Sequence, residues 1–178
     1  MQTSINKAGQ PIAIAGLASD NSEGDAVSRF NGEASAVIPF GVAVKATSSY
    51  RDGCVNLSTS TDVVEGVVQF GYNHMPGYDL DQTSGGLLPK AGFKLKQRGR
   101  LYALVDSTVA TIQPNVDRPY ARYSAHTGVG TIVGALTNAN DAGYTLSVQN
   151  QGIFRSGVFL SGDGTSKIAE VDVDFINA

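Results

Sequence analysis

The sequence reads as an all-β protein. Short apolar segments recur about every ten residues, turn-forming clusters separate them, and almost no segment carries a helical period. Composition agrees. The 178 residues include 21 glycines, where usage of about 7% would give roughly 12. Charged residues make up 16% of the chain, against about 25% in ordinary domains. Short strands joined by tight turns suit that mixture, with Ser, Thr, Asn and Gln supplying a polar, weakly charged surface. The length and the 42% hydrophobic content fit one domain with a real core.

Along the chain, residues 1–20 hold one short apolar run, Ile12-Ala13-Ile14, with no helical period. They read as an extended N-terminal arm, and residues 21–178 as a single body, a β-barrel or sandwich of antiparallel strands. Up to residue 35 the chain is rich in Gly, Ser and Asp and reads as turns. "AVIPFGVAVKA" (36–46) is nearly continuous apolar sequence broken by Pro39-Phe40-Gly41, which predicts a bent or bulged strand because proline cannot donate to a ladder. "CVNLS" (54–58) and "VVEGVVQF" (63–70) follow as strands, and Cys54 reads as an inert strand residue. Residues 71–92 are the longest irregular stretch. Their aromatic, Met and Pro content marks a contact loop carrying Tyr72, His74, Met75 and Tyr78.

"GFKLKQR" (92–98) and "RLYALVD" (100–106) resume the strand pattern. Alternation there sets Phe93 and Leu95 against a basic row of Lys94, Lys96, Arg98 and Arg100. "ATIQP" (110–114), "PYARYSA" (119–125), "GTIVGAL" (130–136), "YTLSVQ" (144–149) and "GIFRSGVFL" (152–160) are further strand segments. "RDG", "TSGG", "NANDAG" and "SGDGTS" supply turn chemistry between segments. The last strand, "KIAEVDVDFI" (167–176), has the clearest period. Val171, Val173 and Phe175 share the inward face, and Glu170, Asp172 and Asp174 form an outward ladder.

Chemistry is hard to find. His74 and His126 have no motif around them, and there is no G-x-S-x-G elbow. "HTGVGT" and "GDGTSK" lack the spacing and the following helix of a phosphate loop. The pair Asp79 and Asp81 lies in the contact loop without a converging ligand set. One cysteine excludes an internal disulfide and a cysteine-rich zinc site. A net charge of −3 argues against a dedicated nucleic-acid binder, and no apolar run approaches the roughly 18 residues of a membrane span. No catalytic residue, cofactor or metal site is read. The basic row reads as a solvated face or as a match for an acidic partner surface, the 170–174 ladder of a neighbouring subunit being one such surface.

The order of the pieces is informative where catalysis is not. "QPIAIAGLASD" leads to "VIPFGVAV", then "VVEGVVQF", then "GFKLKQRGRLYALVD", with "PYARY", "GAL" and a closing "AEVDV". This arrangement resembles the structural cement, or capsid decoration, proteins of tailed bacteriophages across essentially the whole chain. The resemblance implies a non-enzymatic virion protein on the outer surface of the head. It would form a homotrimer and clamp neighbouring major capsid subunits, without nucleic acid or membrane as partner. Contact residues expected on that basis are Ile12, Ile14, Pro39, Phe40, Tyr72, His74, Met75, Tyr78, Lys94, Lys96, Arg98 and Arg100. A carbohydrate-binding or adhesion module, stacking sugars on Tyr72, Tyr78, Tyr120 and Tyr123, is the alternative, weakened by the absence of Trp. A hydrolase with a dispersed site is a third reading.

Overall fold

The computed structural model describes residues 13–19, 25–71, 86–126, 132–162 and 164–176. Its strands are β1 (Ala26–Asn31), β2 (Ala43–Ala46), β3 (Gly53–Asn56), β4 (Gly66–Gln69), β5 (Gly92–Lys96) and β6 (Arg98–Leu104). After them come β7 (Tyr120–Arg122), β8 (Leu136–Thr137), β9 (Thr145–Ser147), β10 (Gly152–Phe154), β11 (Phe159–Leu160) and β12 (Lys167–Asp174). A single 3₁₀ turn, Gln149–Gln151, is the helical structure among the described residues. The fold is all-β, as the strand pattern predicts.

Five strands close into a barrel in the order β1-β3-β2-β4-β5, and β1 returns to pair with β5. The β1–β3 pair is parallel and the other barrel pairs are antiparallel. Beside the barrel, β12 runs through a second sheet, with β6 along one side and β10 and β11 end to end along the other. A small third sheet has the order β8-β7-β9.

The continuous apolar runs have a packing cause. In β2, Ala43 enters one core cluster and Val44 the other; in β4, Val67 and Val68 divide in the same way. Both faces of this wall are buried, so its strands carry no polar alternation. Leu101 and Ala103 of β6 join the first cluster with Phe154, Val171 and Val173, while Leu104 joins the second with Ile38, Phe93 and Leu95. Each Val, Leu, Ile or Phe among them, fully buried, stabilises the fold by about 1.5–3 kcal/mol relative to exposure.

Pro39-Phe40-Gly41 ends as a turn before β2, with Gly41 at φ +78. Gly41 donates its N–H to the Val68 carbonyl and accepts from the Leu104 N–H, both at 2.9 Å. Gly16, at φ +80, does the same one step along: its N–H reaches the Tyr102 carbonyl at 2.6 Å and its carbonyl accepts from Phe70 at 2.9 Å. Two left-handed glycines thus stitch the barrel strand β4 to β6 of the second sheet. A side chain on either would meet backbone within 3 Å. Phe40 covers the joint, edge-on to Phe70 with centroids 5.0 Å apart.

Of the arm expected over residues 1–20, the structure describes residues 13–19. Those residues pack on the body rather than leaving it. Ala13 is buried and its carbonyl accepts from the Gly162 N–H at 2.8 Å, and Ala18 bridges to Leu101. Strand β1 was also illegible. Its inward positions are Val27, Arg29 and Asn31. Arg29 is held by Glu65 through Nε at 2.7 Å, and Asn31 is fully buried with its amide bonded to the Ala36 and Leu87 carbonyls. Polar residues on an inward face erase the apolar period. In the other direction, "ATIQP" forms no strand; Ile112 anchors a loop in the first cluster.

Cys54 lies in β3, fully buried, with its thiol 3.2 Å from a Glu65 carboxylate oxygen. Burial pushes the thiol pKa well up, and the Glu65 carboxylate adds to the rise.

Between β3 and β4, Asp62 organises the loop. Its carboxylate accepts from Lys45 at 2.9 Å, from the backbone N–H groups of Ser58 and Thr59, and from the Thr59 hydroxyl. Burial raises its pKa, but the Ser58, Lys45 and Thr59 hydrogen bonds outweigh that and hold it well below the usual carboxylate range. A lowered folded-state pKa contributes stability above about pH 4 that is lost as acid titrates the folded group. Asp62→Ala is expected to destabilise by about 1–3 kcal/mol at pH 7, since several donors lose their acceptor. The deficit should shrink below pH 4, as measured by urea denaturation of both proteins across pH.

Candidate functional site

The outer face of the second sheet carries the clearest concentration of charge. Antiparallel pairing places Asp172 opposite Arg100 and Asp174 opposite Arg98, and the side chains approach to 3.7 and 3.8 Å. From the other side of β12, Arg155 reaches Asp172 at 3.0 Å and the Asn115 side-chain carbonyl at 2.8 Å. Glu170, next in the ladder, accepts from the Ser19 hydroxyl at 2.7 Å. The acidic ladder is therefore flanked by arginines of its own chain.

That geometry gives the acidic ladder partners within its own chain. Two members of the basic row, Arg98 and Arg100, neighbour the acidic ladder in one sheet and pair with it within the molecule. The row itself is divided. Gln97 and Arg98 both donate backbone N–H groups to the Asp25 carbonyl, and the chain passes from barrel to second sheet at this point. Lys94 and Lys96 sit on β5, Arg98 and Arg100 on β6. Lys94 is exposed, whereas Lys96 is only 4% exposed.

The remaining expected contact residues scatter. Pro39 and Ile14 are half-buried, and Phe40, 8% exposed, belongs to the core of its own chain. Ile12, Tyr72, His74, Met75 and Tyr78 lie outside the described residues, as do Asp79 and Asp81. Of the tyrosines proposed for sugar stacking, Tyr123 packs against the first core cluster and Tyr120 is half-buried on β7.

Beside this charged face opens a groove of about 510 Å³, lined by Arg98, Arg118, Gln151, Arg155, Asp172 and Asp174 among others. Arg118 precedes β7 and is exposed; it donates to the Gln149 carbonyl at 2.9 Å. The sequence did not single out Arg118 or Arg155. They come from segments distant from the basic row, and only the pairing of β10 with β12 brings Arg155 to the face.

A second cluster is internal. Arg122, 1% exposed, is bonded through Nε to Asp106 at 2.5 Å and through a terminal nitrogen to Asp141 at 3.1 Å. Asp141 also contacts His126 Nδ1 at 3.0 Å, and the imidazole stacks on Tyr144 with centroids 3.9 Å apart. The His126 hydrogen bond, then Arg122, hold the Asp141 carboxyl below its ordinary range. Among the described residues His126 bonds this carboxylate alone. The cluster ties the end of β6 to β7 and to the loop before β9. Among the described residues no group of three or more His, Cys, Asp or Glu side chains is placed to hold a metal ion.

Comparison with known proteins places the chain as a whole. No curated protein matches the sequence. A solved chain described as "The capsid of Myoviridae Phage XM1" shares the fold, with a TM-score of 0.66 at 15% identity over 92% of this chain and 91% of that one. The profile of one family, described as "Structural cement protein (E217 gp24/Pam3 gp6)", matches residues 1–174. A match over nearly the whole sequence leaves no other assignment: the chain belongs to the phage structural cement protein family, a structural component of the virion capsid and not an enzyme.

Proposed function

We propose that this protein decorates the outer surface of an expanded phage head as a homotrimer and clamps neighbouring major capsid subunits. The observation that carries this reading is the family match over residues 1–174. The charged outer face of β6, β12 and β10 supports it, because strand pairing and ion pairs hold it as one laterally extended surface. A closed ring needs two different complementary patches on each protomer. Exposed ion pairs are worth about 0–1 kcal/mol each, so apolar contacts supply most of the affinity. Pro39, Ile14 and the segments holding Ile12 and Tyr72–Tyr78 are the candidates for those contacts.

Cementing then follows from mass action. A ligand that binds the assembled shell alone stabilises it by RT ln(1 + [L]/Kd), about 2.7 kcal/mol per site at a hundredfold excess over Kd. Undecorated heads are expected to burst at a lower temperature than heads incubated with this protein, and the shift should saturate with occupancy. Calorimetry of both preparations measures it. Equal bursting temperatures, with the protein monomeric and missing from purified virions, would end the cement reading.

A further inference from the structure

We propose that the arginine-lined groove beside the charged sheet face is a receptor for an acidic segment of the capsid shell, with Arg118 as its free cation. The inference rests on the cement reading and names the chemistry of the surface that is clamped. Three guanidinium groups converge on the groove from separate parts of the chain: Arg98 at the start of β6, Arg118 before β7 and Arg155 after β10. Its two carboxylates are already engaged, Asp174 by Arg98 and Asp172 by both Arg100 and Arg155. Arg118 differs. Among the described residues it forms no ion pair, only the bond to the Gln149 carbonyl, and its fork of donors faces solvent.

A chain of net charge −3 thus presents a local cationic excess at a groove that its charged face borders. Guanidinium groups pair carboxylates in bidentate geometry. Asp172 and Asp174 in the lining decide between polyanions. A phosphodiester backbone carries charge at every step and would be repelled by the two fixed carboxylates. A peptide with spaced Asp or Glu residues can place its charges on the arginines and neutral positions beside the aspartates. Gln151 in the lining offers amide hydrogen bonds to such a backbone.

The test uses Arg118→Glu, Arg118→Lys and wild type, binding to undecorated heads, with poly-L-glutamate and single-stranded DNA as competing probes. Arg118 is exposed and unpaired, so all three proteins should melt together. Arg118→Glu is expected to weaken head binding at least about tenfold at low salt, the loss shrinking as salt rises. Arg118→Lys should recover part of it, and poly-L-glutamate should displace wild type at concentrations where DNA does not. Unchanged binding by Arg118→Glu overturns the proposal, and so does equal competition by DNA, which would mark a general polyanion groove. If wild type itself fails to bind heads, the cement reading has failed instead. Calorimetric titration of free protein with poly-L-glutamate then decides the groove: binding that Arg118→Glu abolishes supports it, and no binding overturns it.

Discussion

Asp106→Ala is expected to cost about 3–5 kcal/mol, because it strands a buried charge. Asp106 and Arg122 are 2% and 1% exposed, and the Asp106 carboxylate meets both Nε and a terminal nitrogen of Arg122 at 2.5 Å. Removing the carboxylate leaves a guanidinium almost wholly out of water with Asp141 alone as counter-charge. It also strips the Thr108 hydroxyl and N–H of their acceptor. At about 2–4 °C per kcal/mol for a chain of this size, the melting temperature should fall by roughly 10 °C. Asp141→Asn should cost much less, because Asp141 is 24% exposed and Arg122 keeps Asp106. The paired substitution Asp106→Leu with Arg122→Met tests the cause. Apolar replacement of both partners removes the stranded charge, so the double variant should be more stable than Asp106→Ala. Thermal and urea unfolding of the four proteins make the comparison, and a loss under 1 kcal/mol for Asp106→Ala would refute the argument.

Gly41→Val is expected to follow closely, at about 3 kcal/mol or more. A β-branched residue at φ +78 sits in a region that costs roughly 1–2 kcal/mol. Its Cβ would also lie 2.8 Å from the Leu104 nitrogen and 2.9 Å from the Gly16 nitrogen, and relieving such overlap typically costs a further 1–3 kcal/mol. Both neighbours are backbone, so nothing flexible can yield. The joint between barrel and second sheet should open. Hydrogen exchange of the Leu104 and Phe70 amides, which lie on either side of the joint, should accelerate while that of Ala121 in the third sheet changes least. Uniform acceleration would instead mark a global loss of stability.

The sequence was most readable where one face of a strand meets water. β12 alternates as expected because Glu170, Asp172 and Asp174 stay half-exposed while Val171 and Val173 are buried. β2 and β4 announced themselves by apolar runs, yet the reason, a wall buried on both faces, required the partner sheets. β1 was lost because Arg29 and Asn31 occupy inward positions and are satisfied by Glu65 and by two distant carbonyls. The candidate surface divided along the same line. Arg98, Arg100 and the acidic ladder were visible as charge, but which ones face each other is set by the register of β6 on β12. Arg118 and Arg155 had no local signal, since nothing in "VDRPY" or "IFRSG" distinguishes a groove arginine from a solvated one.

The buried thiol of Cys54 leaves the described surface chemically silent toward maleimides and other thiol reagents. It is the one cysteine of the sequence, it has no exposed area, and its raised pKa keeps it from the reactive thiolate form. A cysteine introduced at an exposed position such as Val63, 78% accessible on the loop before β4, would then be the sole addressable thiol on each copy. Dyes, lipids or antigens coupled there would be displayed at one defined point per copy, with a spacing fixed by the lattice that the protein decorates.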